Sequence, residues 1–278
     1  PYITDFPNLL KADLTEADMW GTTPLDQLWC RIQFRQASYQ GVYTPPTVDQ
    51  PWIQFPGYNG GVDWGGVAID PEKGIMITNY NNMPNYNQLV PREEVDAAGV
   101  LPITDPNYDE NAGGGSHGSL SPQAETPYGI RVNAGWRVPW TGMLCKEPPY
   151  GGIAAIDLNT REVLWDRPFG SARKNGPFGI PSMLPLEIGT PNNGGGVVTA
   201  SGLFFIAAAT DDILRAVDIE TGEEVWQVTL PAGGQATPMT YEAEGRQIVV
   251  INAGGHDFME TPIGDYFIAY ALPAEAAE

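Results

Sequence analysis

The chain has 278 residues, with 14 Lys and Arg against 34 Asp and Glu, a formal net charge of −20 at pH 7. That balance excludes a sequence-independent grip on nucleic acid, which needs cations to neutralise phosphates, and opposes an anionic membrane surface. With 42% hydrophobic residues and 8 Trp the chain can bury a core, and no apolar run reaches the roughly 18 to 20 residues of a membrane-spanning helix.

Pro1 opens the sequence without a basic and then apolar leader, so the chain is expected to be processed or to be the later part of something longer. Leu25–Gln36 (LDQLWCRIQFRQ) is the one stretch with a helical pattern. Cys30 lies in it, and Cys145 is the other cysteine. Two cysteines cannot make a four-thiolate zinc site. They are either two buried thiols or one disulfide across more than a hundred residues, and the spacing leaves both open.

Val67–Met76 (VAIDPEKGIM) carries a turn at Asp70–Pro71. The segment 79–149 is rich in Asn, Pro and Gly and is expected to be a loop-rich insertion. His117 sits in it within GGGSHGS, where a lone histidine is ordinarily a solvated loop residue. Ala155–Trp165 (AIDLNTREVLW) and Ala216–Trp226 (AVDIETGEEVW) then share A-x-D-x-x-T-x-x-x-x-W, 61 residues apart. Asp and Thr suit a tight turn closed by side chains on backbone amides, and the Trp suits docking between sheets. Gly222 supplies a left-handed position in the second copy, where the first has Arg161. Val67–Met76 is a weaker third copy without the Trp.

The Gly-rich GTPNNGGG at 189–196 lacks the Lys-Ser/Thr of a phosphate loop. Strands follow at Gly195–Ala200, Leu203–Ala208, Ile213–Asp218 and Glu224–Leu230, one complete four-stranded up-and-down blade. Gln247–Asn252 and Tyr266–Leu272 read as further strands. No G-x-S-x-G or H-E-x-x-H supports a hydrolase or zincin.

The repeat resembles the blade motif of pyrroloquinoline quinone (PQQ) dehydrogenases. The resemblance extends to MWGTTPLDQLWCRIQFR, GVDWGGVAID, LCKEPPYGGIAAID, LPAGGQATPMTY, NAGGH and GDYFIAYALP, segments similar to the membrane-bound glucose and quinate dehydrogenase branch. It implies an all-β fold, about half of an eight-bladed β-propeller with four-stranded, Trp-docked blades. Residues 1–278 would be the C-terminal part of such an enzyme. The catalytic base and most Ca²⁺ ligands would lie upstream, with no catalytic residue or metal ligand in this chain. An N-terminal half or a second chain would complete the ring.

The resemblance further implies a periplasmic dehydrogenase, membrane-associated through the missing region, with PQQ and Ca²⁺ as cofactors. Its substrate would be a sugar, polyol or cyclic alcohol, and its electron acceptor a quinone or another acceptor. By this resemblance Asn79 hydrogen-bonds the quinone, as an amide can; by residue type alone it is one Asn among several in a turn. Asp63 and Trp64 would lie near the propeller axis, Trp64 as a cofactor wall or as packing. Asp211 would lie by the cofactor, or serve as an acidic turn before a strand. His256, after two glycines that allow close backbone approach, would meet substrate hydroxyls; by residue type alone it is a structural loop histidine. The stretch DFMETPI after it is bulkier and more acidic than in glucose-type members. In that context Cys30 and Cys145 become a disulfide of an oxidising compartment. The competing reading is a non-catalytic propeller scaffold or binding module, since such propellers share the Trp-ended motif.

Overall fold

A computed structural model describes residues 5–9, 11–109 and 117–272. Four antiparallel sheets form it. One takes β2 (Ala68–Asp70), β3 (Ile75–Asn81), β7 (Gly151–Asp157) and β8 (Glu162–Pro168) in that order. The next takes β9 (Gly196–Val198), β10 (Leu203–Ile206), β11 (Ile213–Asp218) and β12 (Glu224–Thr229). A three-stranded sheet follows, β13 (Met239–Ala243), β14 (Arg246–Ala253) and β15 (Tyr266–Ala271). These three are the consecutive up-and-down units expected of a partial propeller.

The segment 79–149 is not the loop-rich insertion expected. Asn79–Asn81 close β3, and β4 (Asn85–Pro91), α2 (Arg92–Ala97), β5 (His117–Ser121) and β6 (Tyr128–Asn133) follow. With β1 (Trp52–Gln54) they make a fourth sheet, ordered β1-β4-β6-β5. Asn85 and Asn87 alternate inward and are 2% exposed; Asn85 Oδ1 accepts from Gly135 N and Asn87 Nδ2 donates to Gln54 Oε1, while Asn85 Nδ2 and Asn87 Oδ1 are buried without a partner. His117 begins a strand and pairs with Asn133 rather than lying in a loop.

The turn chemistry recurs three times. Oδ1 of Asp70, Asp157 and Asp218 each accepts from the backbone amides two and three residues on, at 2.7–3.1 Å. Four residues after each Asp the chain is left-handed, at Gly74 (φ 69°), Arg161 (φ 63°) and Gly222 (φ 73°). The backbone donors hold the Asp157 and Asp218 carboxyls below the usual carboxylate range.

The Trp of each copy docks on the following sheet. Trp165 donates Nε1–H to Ile219 O at 2.9 Å, and its ring lies over Gly222, where a Cβ would come within 2.7 Å of it. Gly222 is therefore required twice, for its φ and for the indole. Trp226 meets Tyr270 edge-on at 5.5 Å. Ile77, Ile153 and Ala155 of the first sheet pack on Phe204, Ile206 and Ile219 of the second. Leu214 of the second meets Ile251 and Ala253 of the third.

Both ends of this row are open. On the first sheet, Ile69, Met76, Ile156 and Val163 are in cross-strand register on the face away from the second sheet; Ile69 and Val163 are exposed, at 48% and 41%, while Ile156 between them is buried. A cleft of about 380 Å³ lies on that face, bordered by residues 6–9 and Lys11 and reaching Asn81. At the far end Met239, Tyr241 and Phe267 share the outer face, with Phe267 74% exposed. Open, apolar terminal faces are what an incomplete ring of blades presents.

Helix α1 (Pro24–Gln36) starts on a capping box, Thr23 Oγ1 accepting from Asp26 N while Asp26 Oδ2 accepts from Thr23 N, with Pro24 in the first turn. Its inner face carries Cys30, bonded to Cys145 across 115 residues. Around the disulfide pack Met19, Ile53, Phe55, Trp136 and Val138. Loop-closure entropy gives such a crosslink about 4 to 5 kcal/mol in the chain-entropy model.

Replacing Trp165 by Ala removes the indole from its seat on Gly222 and leaves Ile219 O without that donor. Urea denaturation of the variant should show a loss of about 3 kcal/mol. Trp165→Phe, which keeps a ring and loses only the N–H, should recover most of it.

Candidate functional site

One end of the three sheets gathers most of the residues singled out. The turn 63–66 enters β2 at the end where β3 finishes, because Ala68 pairs with Ile77 and Asp70 with Ile75. The loops 207–212 and 190–195 lie at the same end of the second sheet, and 254–265 at that of the third.

Asn79 is 3% exposed, and its Nδ2 donates to Asn192 Oδ1 at 2.7 Å and to Gly194 O at 3.0 Å. Asn81 Nδ2 donates to Asn192 O at 2.6 Å, and Asn192 N returns a bond to Asn81 Oδ1 at 2.9 Å. Asn192 Nδ2 also reaches Tyr80 O at 3.1 Å. The loop 190–195 is thus sewn to the end of β3 by amides alone. Gln235, from the connection into the third sheet, donates to Asn193 O at 2.7 Å and Ala208 O at 2.8 Å with its amide oriented to satisfy both.

Backbone meets backbone beside this network. A Cβ on Gly65 would stand 2.1 Å from Gly194 C, and one on Gly194 2.0 Å from Gln235 O. Glycine is obligatory at both places. Trp64 sits at the corner of the turn closed by Gly66 N on Asp63 O, and is 60% exposed. Asp63 Oδ1 accepts from Trp64 N at 2.7 Å. Trp64 is therefore presented, not packed, on a rigid mount.

His256 lies on the loop after β14. Its N–H donates to Thr261 Oγ1 at 2.8 Å, and its ring Nδ1 is buried without a partner. Gly255 (φ 73°) brings the loop against Pro262, where a Cβ would lie 2.1 Å from the carbonyl oxygen.

Asp211 is placed differently. It is 1% exposed, and Oδ2 accepts from Ser171 N at 2.8 Å, Ser171 Oγ at 3.0 Å and Arg215 Nη2 at 2.5 Å. Oδ1 takes Arg215 Nη1 at 3.0 Å. The carboxylate is used inside the protein, tying β11 to the loop after β8. Its neighbour Asp212 has a left-handed backbone (φ 58°), an unpartnered buried Oδ1 and a 3.5 Å contact to Lys174 Nζ. Burial raises its carboxyl above the usual range, against the pull of Lys174. Among the described residues no three His, Cys, Asp or Glu side chains gather as a metal site.

The site offers a flat exposed indole, glycine-lined backbone without side-chain bulk, and a half-buried histidine on a loop at the same end of its sheet. These suit a flat polar cofactor and a hydroxylated substrate. Sequence reasoning singled out Asn79 and His256 but missed Asn192, whose partner lies over a hundred residues away; the doublet in TPNNGGG was its only local sign.

Comparison with known proteins decides the family. A family model described as PQQ, glucose/ethanol/alcohol dehydrogenase, beta-propeller domain, matches residues 1–249. The chain belongs to this PQQ dehydrogenase β-propeller family. It is 57% identical to the glycerol dehydrogenase large subunit of Gluconobacter oxydans over 98% of this chain and 36% of that protein. It is 44% identical to the quinoprotein glucose dehydrogenase of Escherichia coli, over 94% of this chain and 32% of the relative. It is 40% identical to the quinate/shikimate dehydrogenase (quinone) of Acinetobacter baylyi, over 98% and 32%. The chain thus spans about a third of the length of these relatives. Family membership makes it part of an oxidoreductase fold and implies PQQ as cofactor.

A raised carboxyl favours the folded state while protonated, and that contribution is lost as pH rises through the folded pKa. Asp212→Asn keeps the left-handed backbone and removes the buried charge. Thermal melts should show it more stable than the wild type at pH 7, with the gain vanishing below about pH 4. Equal melting at both pH values would contradict the burial argument.

Proposed function

We propose that this chain is the C-terminal part of a periplasmic PQQ-dependent dehydrogenase oxidising a sugar, polyol or cyclic alcohol, with electrons passed on to a quinone or another acceptor. Among these a polyol is favoured, because the chain is 57% identical to a protein named for glycerol. The observation that carries the reading is the placement of Asn79 near the end of β3, and of Trp64 and His256 on glycine-rich loops, at one end of the sheets in a chain of this family.

Bound PQQ supplies the two-electron acceptor for a hydride from the carbinol carbon, and the hydroxyl proton leaves to a base outside this chain. The residues here bind and orient. Trp64 provides a wall for a flat ring. Asn79 and Asn192 fix the loop edge against which the ring lies. His256, half-buried on the loop after β14, presents its imidazole edge to a substrate hydroxyl. Asp63 holds the Trp64 turn, and Asp211 acts from behind, holding Ser171 and Arg215 in place. Ca²⁺ is bound mainly by the portion outside this chain. The exposed faces at Ile69 and Phe267 are where the N-terminal half, or a second chain, packs to close the ring.

The test uses the full-length protein, loaded with PQQ and Ca²⁺ and assayed by dye reduction with glycerol, other polyols, sugars and quinate. Turnover is expected, with Asn79→Ala lowering PQQ occupancy. His256→Ala should raise KM for the best substrate about tenfold while PQQ absorbance persists. Failure to bind PQQ at all would replace this reading with a non-catalytic propeller scaffold.

A further inference from the structure

The loop that carries His256 is anchored at its base and latched at its tip. At the base, Gly255 N donates to Gly233 O at 2.9 Å and Gly264 N to Gly254 O at 3.0 Å. The tip, 257–260, leaves the third sheet and reaches the loops that follow β1 and β6 of the fourth sheet. Glu260 Oε2 accepts from Arg137 Nη1 at 2.9 Å, and Phe258 meets the ring of Tyr58 at 6.4 Å. Glu260 adopts φ 55°, a left-handed conformation that a non-glycine residue holds only when its surroundings demand it.

Arg137 stands on a stiff base. Its N–H donates to Asn133 Oδ1 and its carbonyl accepts from Asn133 Nδ2, both at 2.8 Å. Trp136 and Val138 on either side are wholly buried, and Cys145 of the disulfide donates its N–H to Trp136 O. The ion pair therefore joins a rigid platform to a hairpin loop of different parentage. His256 is coupled to the tip through Thr261, next to Glu260, whose Oγ1 accepts the His256 amide.

We infer that Arg137 is a positioning residue for His256: its ion pair with Glu260 fixes the loop tip across the site's mouth, setting the imidazole's place and the room beside it for substrate. This rests on the dehydrogenase reading for its kinetic consequence but not for the latch itself. The pair is half-exposed and contributes little to global stability, so its effect falls on the loop.

Two readouts on the full-length, PQQ-loaded protein test it. In hydrogen exchange, Arg137→Ala should speed exchange of the amides in 256–261 about tenfold, with the rest of the third sheet unchanged. In steady-state kinetics it should raise KM for the polyol about five- to tenfold, with kcat within about twofold and PQQ absorbance unaltered. The charge exchange Arg137→Glu with Glu260→Arg should restore both, wholly or in large part. Unchanged exchange in Arg137→Ala, or unchanged KM in an active enzyme, overturns the inference. A wild type that exchanges as expected but turns over no alcohol leaves the latch standing and sinks the dehydrogenase reading instead.

Discussion

Asn192 has no solvent exposure, yet it bonds at every polar position: its amide nitrogen to Tyr80 O, its side-chain oxygen to Asn79, its backbone N–H and C=O to Asn81. Buried amides are expensive unless fully paired, so this arrangement tolerates one geometry. That geometry lays the loop 190–195 along the end of β3, which in turn puts Gly194 against Gly65 and raises the Trp64 turn beside it. Gln235 continues the chain of amides to the connection of the third sheet, whose loops carry His256. The site is thus a consequence of how successive sheets are joined at one end.

The other end is joined by different chemistry. Aspartate turns and left-handed residues bring each hairpin back, and an indole seats itself on the hairpin of the next sheet. Apolar docking tolerates small shifts and gives most of the free energy; the amide junction gives direction. A division of this kind leaves the site end with polar groups and glycine backbone, with Trp64 presented on its turn above them.

The second half of the fold was legible in the sequence because its strands are local. Residues 203–229 carry β-branched and aromatic residues on either side of the Asp218–Gly222 turn, and the strands formed there with bounds close to those expected. The Trp-ended repeat correctly anticipated the docking. The segment 79–149 was not legible: β4 and β6 are rich in Asn, Gly and Tyr, and their sheet is closed by three residues at Trp52–Gln54, far away in the chain. Three-residue strands such as β1 and β2 carry no period. At the site, Asn79 and His256 stood out by type and by family resemblance. Asp211 fitted two readings, and only its full set of partners shows the internal one. Arg137, Glu260 and Asn192 act through partners more than a hundred residues distant, which no local pattern records.

The account depends on these joined loops forming the floor and wall of a quinone site. The most direct measurement is an experimental structure of the full-length protein with PQQ bound. It should show the quinone at the end of the sheets bearing Trp64, Asn79 and Asn192, with His256 facing the open side and further sheets packed on Ile69 and Phe267. A quinone bound at the opposite end of the sheets, among the Asp157 and Asp218 turns, or a closed ring that leaves the loop 254–265 remote from it, would contradict the account.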